Sequence, residues 1–191
     1  MQPRILVFAG SARRDSLNKR LARVAARTAT EAGGSVTLID LDDTPLPLYH
    51  GDLEDREGLP QNARNLKALF IEHQGLLIVS PENNASVTAL LKNTLDWISR
   101  ADGAQSGLVP YQGKGAALMA ASPGGFGGMR GLVALRAILQ TLGVLVLAEQ
   151  FLLPHADAAF AADGALKDAK QQAAVAAIAR RLVEVTGAAY R

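Results

Sequence analysis

Three segments of the chain hold residue types and spacings suited to a flat heteroaromatic molecule that carries an anionic group. The first reads Gly10-Ser11-Ala12-Arg13-Arg14-Asp15-Ser16-Leu17-Asn18. Ser11, Ser16 and Asn18 offer side-chain hydrogen-bond donors. Arg13 adds charge-assisted bonds, which contribute about 1.5–3 kcal/mol each when sheltered from water. A short apolar run precedes the segment and a helical pattern follows, so backbone N–H groups and the positive end of a helix dipole converge at the turn. The natural occupant is an anion such as a phosphate monoester. A plain Ser16 helix cap with Arg13 and Arg14 in solvent suits the same residues. Neither Gly-x-Gly-x-x-Gly nor Gly-x-x-x-x-Gly-Lys-Ser/Thr is present here, which sets aside two familiar nucleotide loops.

The second segment, Ser80-Pro81-Glu82-Asn83-Asn84-Ala85-Ser86, opens a helix that contains Leu91-Lys92-Asn93-Thr94-Leu95-Asp96-Trp97. Its proline and paired asparagines supply rigid backbone polar groups and amide side chains, which suit the edge of a heteroaromatic ring. A polar turn with Ser86 as helix cap suits it as well. The third segment, Ser122-Pro123-Gly124-Gly125-Phe126-Gly127-Gly128, lets the backbone approach a ligand closely because its glycines lack side chains. Gly131 follows in the next helical pattern, where alanine in its place is expected to reveal little.

The elements that must position these segments are legible from periodicity. Arg4 to Ala9, Ser35 to Leu41, Gly75 to Val79, Gly115 to Ala121 and Val144 to Ala148 read as strands. Between them lie helical patterns: Leu17 to about Ala32, Gln61 to His73, a helix capped by Ser86 and running to about Arg100, and Met129 to Leu142. Ala165 to Val185 is the last. Asp42 to Pro60 is expected to be a long loop, of a length that often serves function. Strands alternating with helices imply right-handed βαβ units and a parallel sheet. The expected fold is a flavodoxin-like α/β domain, a doubly wound five-stranded parallel sheet of order 2-1-3-4-5 with helices on both faces, spanning residues 1–191. Ligands of such sheets bind at the carboxyl ends of the strands, where all three segments fall.

Composition narrows the chemistry. The 191 residues are 49% hydrophobic and include no cysteine, so disulfides, zinc-thiolate sites, iron–sulfur clusters and thiol nucleophiles are excluded. Redox chemistry then requires an organic cofactor or a non-thiolate metal site. Net charge is +2 and aromatics are 5%; without a Lys/Arg block this argues against a nucleic-acid partner. The five-residue apolar run at Ile5 to Ala9 is too short for a signal-peptide core or a bilayer span, so cytoplasmic residence and no membrane partner are expected.

The set Gly10-Ser11-x-Arg13-x-x-Ser16-x-Asn18, Pro81-Glu82-x-Asn84 and Leu91-Lys92-Asn93-x-x-Asp96-Trp97 resembles the NADPH-dependent FMN reductase family, which includes quinone, chromate and azo reductases. The likeness runs through nearly the whole chain in order and spacing. It implies that Ser11, Arg13, Ser16, Leu17 and Asn18 hold the FMN phosphate end. Pro81, Glu82, Asn83 and Asn84 would border the isoalloxazine and ribityl parts, with Ser122, Gly124 and Gly125 on the other edge. It further implies NADPH or NADH as reductant, a small-molecule electron acceptor and a homodimer or homotetramer. In such an assembly the helix around Trp97 would face a partner; a core tryptophan fits the residue equally. Asn83 stands where the family usually places Tyr, an aromatic found near the flavin or between subunits.

If FMN is bound, hydride is accepted by the flavin itself, and no catalytic side chain is expected. The cluster Arg13, Arg14 and Arg20 suits the 2′-phosphate of NADPH or an exposed helix face. A hydrolase built on Ser122 with Glu149 and His155 is disfavoured because Pro123 lacks the oxyanion-hole N–H. No metal site is expected, since His50, His73 and His155 lie far apart in sequence. The alternative is a flavodoxin-type electron carrier without direct NAD(P)H oxidation, although carriers usually present an acidic surface and aromatics on the flavin.

Overall fold

The computed structural model describes residues 2–189; Met1, Tyr190 and Arg191, which the expected 1–191 domain includes, lie outside the described residues. Strands β1 (Arg4–Ala9), β2 (Ser35–Asp40), β3 (Gly75–Val79), β4 (Gly115–Ala121) and β5 (Leu145–Leu153) form one all-parallel sheet of order β2-β1-β3-β4-β5. The helices are α1 (Leu17–Glu31), α2 (Gly51–Glu57), α3 (Gln61–Glu72), α4 (Ala89–Ile98), α5 (Met129–Thr141) and α6 (Ala169–Ala189). The expected flavodoxin-like sheet is the one observed.

The inner strands are apolar on both faces because both faces are covered. Ile5, Val7 and Ala9 of β1 join a core with α1 and α6, whereas Leu6 and Phe8 join a second core with α3, α4 and α5. Helix α1 presents Leu21, Val24, Ala25 and Ala29 to the first core, and α4 presents Leu91, Leu95 and Ile98 to the second. Each leucine, isoleucine or valine buried this way contributes about 1.5–3 kcal/mol relative to exposure. The two layers clamp the sheet and fix where its strands end.

Four local expectations change. Residues 42–60 are not loop throughout: a short 3-10 turn, Leu41–Asp43, and α2 lie there. Helix α2 buries no residue, so it leaves no apolar periodicity to read. The segment is instead pinned to α4. Asn93 accepts from the Tyr49 N–H at 2.8 Å and donates to the Pro47 carbonyl at 2.9 Å, and the Trp97 indole N–H donates to that carbonyl at 2.8 Å. Trp97 is fully buried within the chain and meets the Tyr49 ring edge-on at 5.0 Å.

Ser86 does not cap α4; Thr88 does, accepting from the Leu91 N–H at 3.1 Å. Ser86 is held instead in a two-residue turn, its backbone N–H and C=O each bonded to Asn83 at 3.0 Å. Strand β5 runs on through Glu149 and Gln150 to Leu153 because a register shift between Ala116 and Leu118 lets it stay paired with β4. Helix α6 starts at Ala169 rather than Ala165: Asp168 accepts from the N–H groups of Lys170 and Gln171, and Leu166 bridges to Phe160.

A three-loop cleft at the carboxyl ends of β1, β3 and β4

The strand order sets the loops after Ala9, Val79 and Ala121 side by side. The sheet's hydrogen bonding continues past the strand ends, Gly10 N–H to Val79 O at 3.0 Å and Ser80 N–H to Met119 O at 2.9 Å, so the loop roots are rigid. Above them opens a cavity of about 420 Å³. Ser11, Arg13, Ser16, Leu17, Asn18, Pro81, Glu82, Asn83 and Ser122 all line it, together with Thr88 to Leu90 at the start of α4. An adjoining recess of about 350 Å³ shares Glu82 and Ser122 as walls and adds Asn84 and Gly124, with Ala85, Phe126, Gly128 and Arg130. Gly125 lines neither. Eleven of the twelve residues expected at the site thus border one of two joined chambers.

Their side chains divide into two kinds. Several are engaged within the chain. Ser16 caps α1, its hydroxyl accepting from the N–H groups of Asn18 at 3.2 Å and Lys19 at 3.4 Å. Asn18 is 3% exposed; its amide donates to the Ala121 carbonyl at 2.8 Å and accepts from the Ala121 N–H at 2.9 Å, tying the first loop to β4. Thr88, which the sequence reading missed, donates to the Gly10 carbonyl at 2.7 Å and ties α4 to the same loop. The signal that pointed away from Ser86 was Asn83-Asn84-Ala85-Ser86 itself, a tight-turn sequence that competes for the serine. Asn84 and Ala85 both take left-handed backbone, φ 50° and 62°, which asparagine accepts and alanine resists.

Glu82 is the third tie. Its carboxylate accepts from the Arg130 N–H at 2.9 Å and the Gly131 N–H at 3.2 Å, and pairs with the Arg130 guanidinium. Helix α5 has no side-chain cap of its own, since Gly128 precedes it; Glu82 supplies the anion from another loop. Burial pushes the Glu82 carboxyl up, yet the Arg130 and Gly131 bonds outweigh it and hold the group below its usual range. Gly131 lets this happen, because a Cβ there would lie 3.1 Å from the Ser86 carbonyl and 3.2 Å from Glu82 Cα. Its replacement by alanine is therefore informative, contrary to the expectation from its helical context.

The other kind is left open. Arg13 is exposed, and among the described residues no group pairs with its guanidinium. Ser11 accepts from the Arg13 N–H at 3.3 Å, which leaves its proton available. Lys19, 8% exposed, is paired with Asp40 at 2.6 Å, so the positive charge free at the first loop belongs to the arginines. An uncompensated cation beside a helix N-terminus, over a cavity walled by Leu17, Pro81 and Leu90, suits a molecule with an anionic end and a flat body. Ser122 accepts from the Gly124 N–H at 3.1 Å and makes no hydrogen bond with His155 among the described residues, and no cluster of three metal-ligating side chains occurs among them.

A family model for NADPH-dependent FMN reductase matches residues 3–158. The chain belongs to that family. It is 34% identical over 165 residues to a 2-hydroxy-1,4-benzoquinone reductase of Burkholderia sp, covering 86% of this chain and 85% of that one. It is 33% identical over 143 residues to a quinone reductase of Escherichia coli, covering 75% and 72%. Among solved structures it is similar to FerB, a flavoenzyme NAD(P)H:(acceptor) oxidoreductase from Paracoccus denitrificans, with a TM-score of 0.82, 28% identity and coverage of 97% and 98%. As a member of the NADPH-dependent FMN reductase family the chain is an oxidoreductase that uses FMN and NAD(P)H. The residues present fit that flavin: the unpaired Arg13 and the α1 N-terminus suit its phosphate, and the cavity between the loops suits its ring system. No helix among the described residues is long and apolar enough to cross a membrane.

Proposed function

We propose that this FMN reductase family member is a quinone reductase, taking small quinones as electron acceptors. Each turnover consumes one NAD(P)H, one proton and one quinone and yields NAD(P)+ and a hydroquinone. FMN, when bound, supplies the hydride-accepting centre. The chain holds it: Ser11, Arg13 and the amides before Leu17 take the phosphate, and Pro81 to Asn84 and Ser122 to Gly125 flank the ring. Asn18, Thr88 and Glu82 keep those loops in register without touching the reacting atoms, and no side chain acts as acid, base or nucleophile. The observation that carries this reading is the unpaired Arg13 at the α1 N-terminus beside a cavity of about 420 Å³, and the two quinone reductases above support the acceptor class.

We propose further that the chain is one domain, works in the cytoplasm where NAD(P)H is made, and pairs as a homodimer or homotetramer. Exposed Met129 and Val133, one turn apart on α5 beside the site, support self-association; light scattering tests it. For the activity, the protein is reconstituted with FMN and its visible spectrum followed without oxygen. NADPH should bleach the flavin, and 2-methyl-1,4-naphthoquinone should restore the oxidised spectrum. Flavin that bleaches but is not reoxidised by the quinone overturns the acceptor assignment.

A further inference from the structure

The recess beside the main cavity has its own chemistry. Phe126 stands at its edge with 65% of its surface exposed. The Arg130 guanidinium lies 5.2 Å from the centre of that ring. On its other side Glu82 accepts from Nε at 2.6 Å and pairs with Nη2, so one edge of the guanidinium is fixed. Nη1 makes no hydrogen bond among the described residues, and the side chain is 53% exposed. Glu82 itself is 9% exposed and its oxygens are occupied by Arg130 and the Gly131 N–H, so it offers an incoming ligand little negative charge. Among the described residues no other charged side chain lines the recess.

An arginine needed only to tie Glu82 to α5 would do so without leaving a guanidinium edge beside an exposed aromatic face. Here cation, ring and opening are assembled in advance, so a ligand that uses them loses little binding energy to ordering them. The recess and the flavin chamber share Glu82 and Ser122 as walls. We propose that it is an acceptor subsite selective for planar aromatic anions, a hydroxyquinone in its deprotonated form or an aryl sulfonate. The ring lies against Phe126 and the anionic oxygen takes Nη1 of Arg130. Gly124 adds no side chain to the recess wall. This assignment rests on the FMN reading of the larger chamber.

Binding and turnover test it separately. Oxidised holoprotein is titrated with naphthalene-2-sulfonate and with its neutral sulfonamide, following the flavin difference spectrum and, independently, calorimetry. The sulfonate should bind at least tenfold tighter, as one sheltered charge-assisted bond requires; equal affinities overturn the proposal. Turnover is compared for 2-hydroxy-1,4-naphthoquinone, anionic at neutral pH, and its neutral 2-methyl analogue. Because the two differ in intrinsic reducibility, the readout is the ratio of their kcat/KM values in each variant relative to wild type. Arg130→Gln should lower that ratio about tenfold or more. Arg130→Lys, which keeps a charge for Glu82 and so protects the fold, should lower it severalfold, and Phe126→Ala should weaken the sulfonate and the sulfonamide alike.

A ratio unchanged in both arginine variants overturns the proposal. So does a fall in the NADPH/NADH preference of either variant with no change in acceptor preference, which would assign Arg130 to the nucleotide's 2′-phosphate. Failure of the wild-type protein to hold FMN, or of NADPH to bleach it, shows itself before any acceptor is added and speaks against the larger chamber alone.

Discussion

At the amino ends of the strands Lys114 and His73 are 4% and 3% exposed and bonded within the chain, whereas at the carboxyl ends Arg13 is exposed and Arg130 half-exposed. Lys114 donates to the carbonyls of Ile71 and His73, and the His73 ring bridges Leu69 O at 2.7 Å and Thr37 Oγ1 at 2.8 Å. Both buried groups are displaced: burial, aided by the Arg4 charge, lowers Lys114 to about 8, and burial lowers His73 despite its bond to Leu69. The cations at the other end keep part of their surface in water and part of their bonding capacity unused. A cation that completes the fold carries its desolvation at all times. One kept for a ligand is desolvated only when the ligand arrives, and that difference separates scaffold from site.

The largest expected effect falls on the scaffold end. Between pH about 8 and about 10.5 the unfolded chain holds a proton on Lys114 that the folded chain has released, so stability should rise with pH, by at most about 3 kcal/mol. Urea unfolding across that range should show the rise, and Lys114→Met should reduce the slope, leaving the part due to Lys67, which burial also lowers. His73 acts in the same sense at lower pH: its folded pKa lies below the ordinary 6.5, so stability should fall as pH drops below that value. A flat profile in both windows would erase the contrast between the ends.

Next in size is Arg13→Ala, which removes a cation that no described residue pairs with. FMN affinity should fall about ten- to a hundredfold, equivalent to about 1.5–3 kcal/mol, with thermal stability of the apoprotein unchanged. Flavin content after dialysis measures it; undiminished flavin would remove the phosphate-loop assignment. Gly131→Ala probes the ties between loops. A Cβ there presses on the Ser86 carbonyl and Glu82, an overpacking of about 1–3 kcal/mol that helix propensity offsets by about 1 kcal/mol. FMN affinity should drop about tenfold, and the net loss of up to about 2 kcal/mol should lower the melting temperature by several degrees at most.

The smallest effect concerns strain. Ala85 sits at φ 62° in the turn that borders the recess. Ala85→Gly should stabilise the fold by about 1 kcal/mol, seen as a rise of about 2–4 °C in Tm. A lower Tm would mean that the turn is set by contacts of the Ala85 methyl rather than by its backbone.

By itself the sequence determined the alternation of strands and helices, the strand order and the three loops of the site. Those follow from apolar runs, helical spacing and the geometry of right-handed crossovers, all of which act over short stretches or by general rule. The pairing of Glu82 with α5, of Asn18 with Ala121 and of Thr88 with Gly10 was settled only in three dimensions. Each joins loops tens of residues apart, and a polar side chain in a loop carries no periodic mark of its partner. Helix α2 was hidden for the same reason, since it buries nothing and its Glu54 is held by Arg100, just beyond the end of α4. Residue types pointed to groups suited to a flavin; the fold decided which of them the chain had already engaged, because a hydrogen bond made within the protein is no longer free for a ligand.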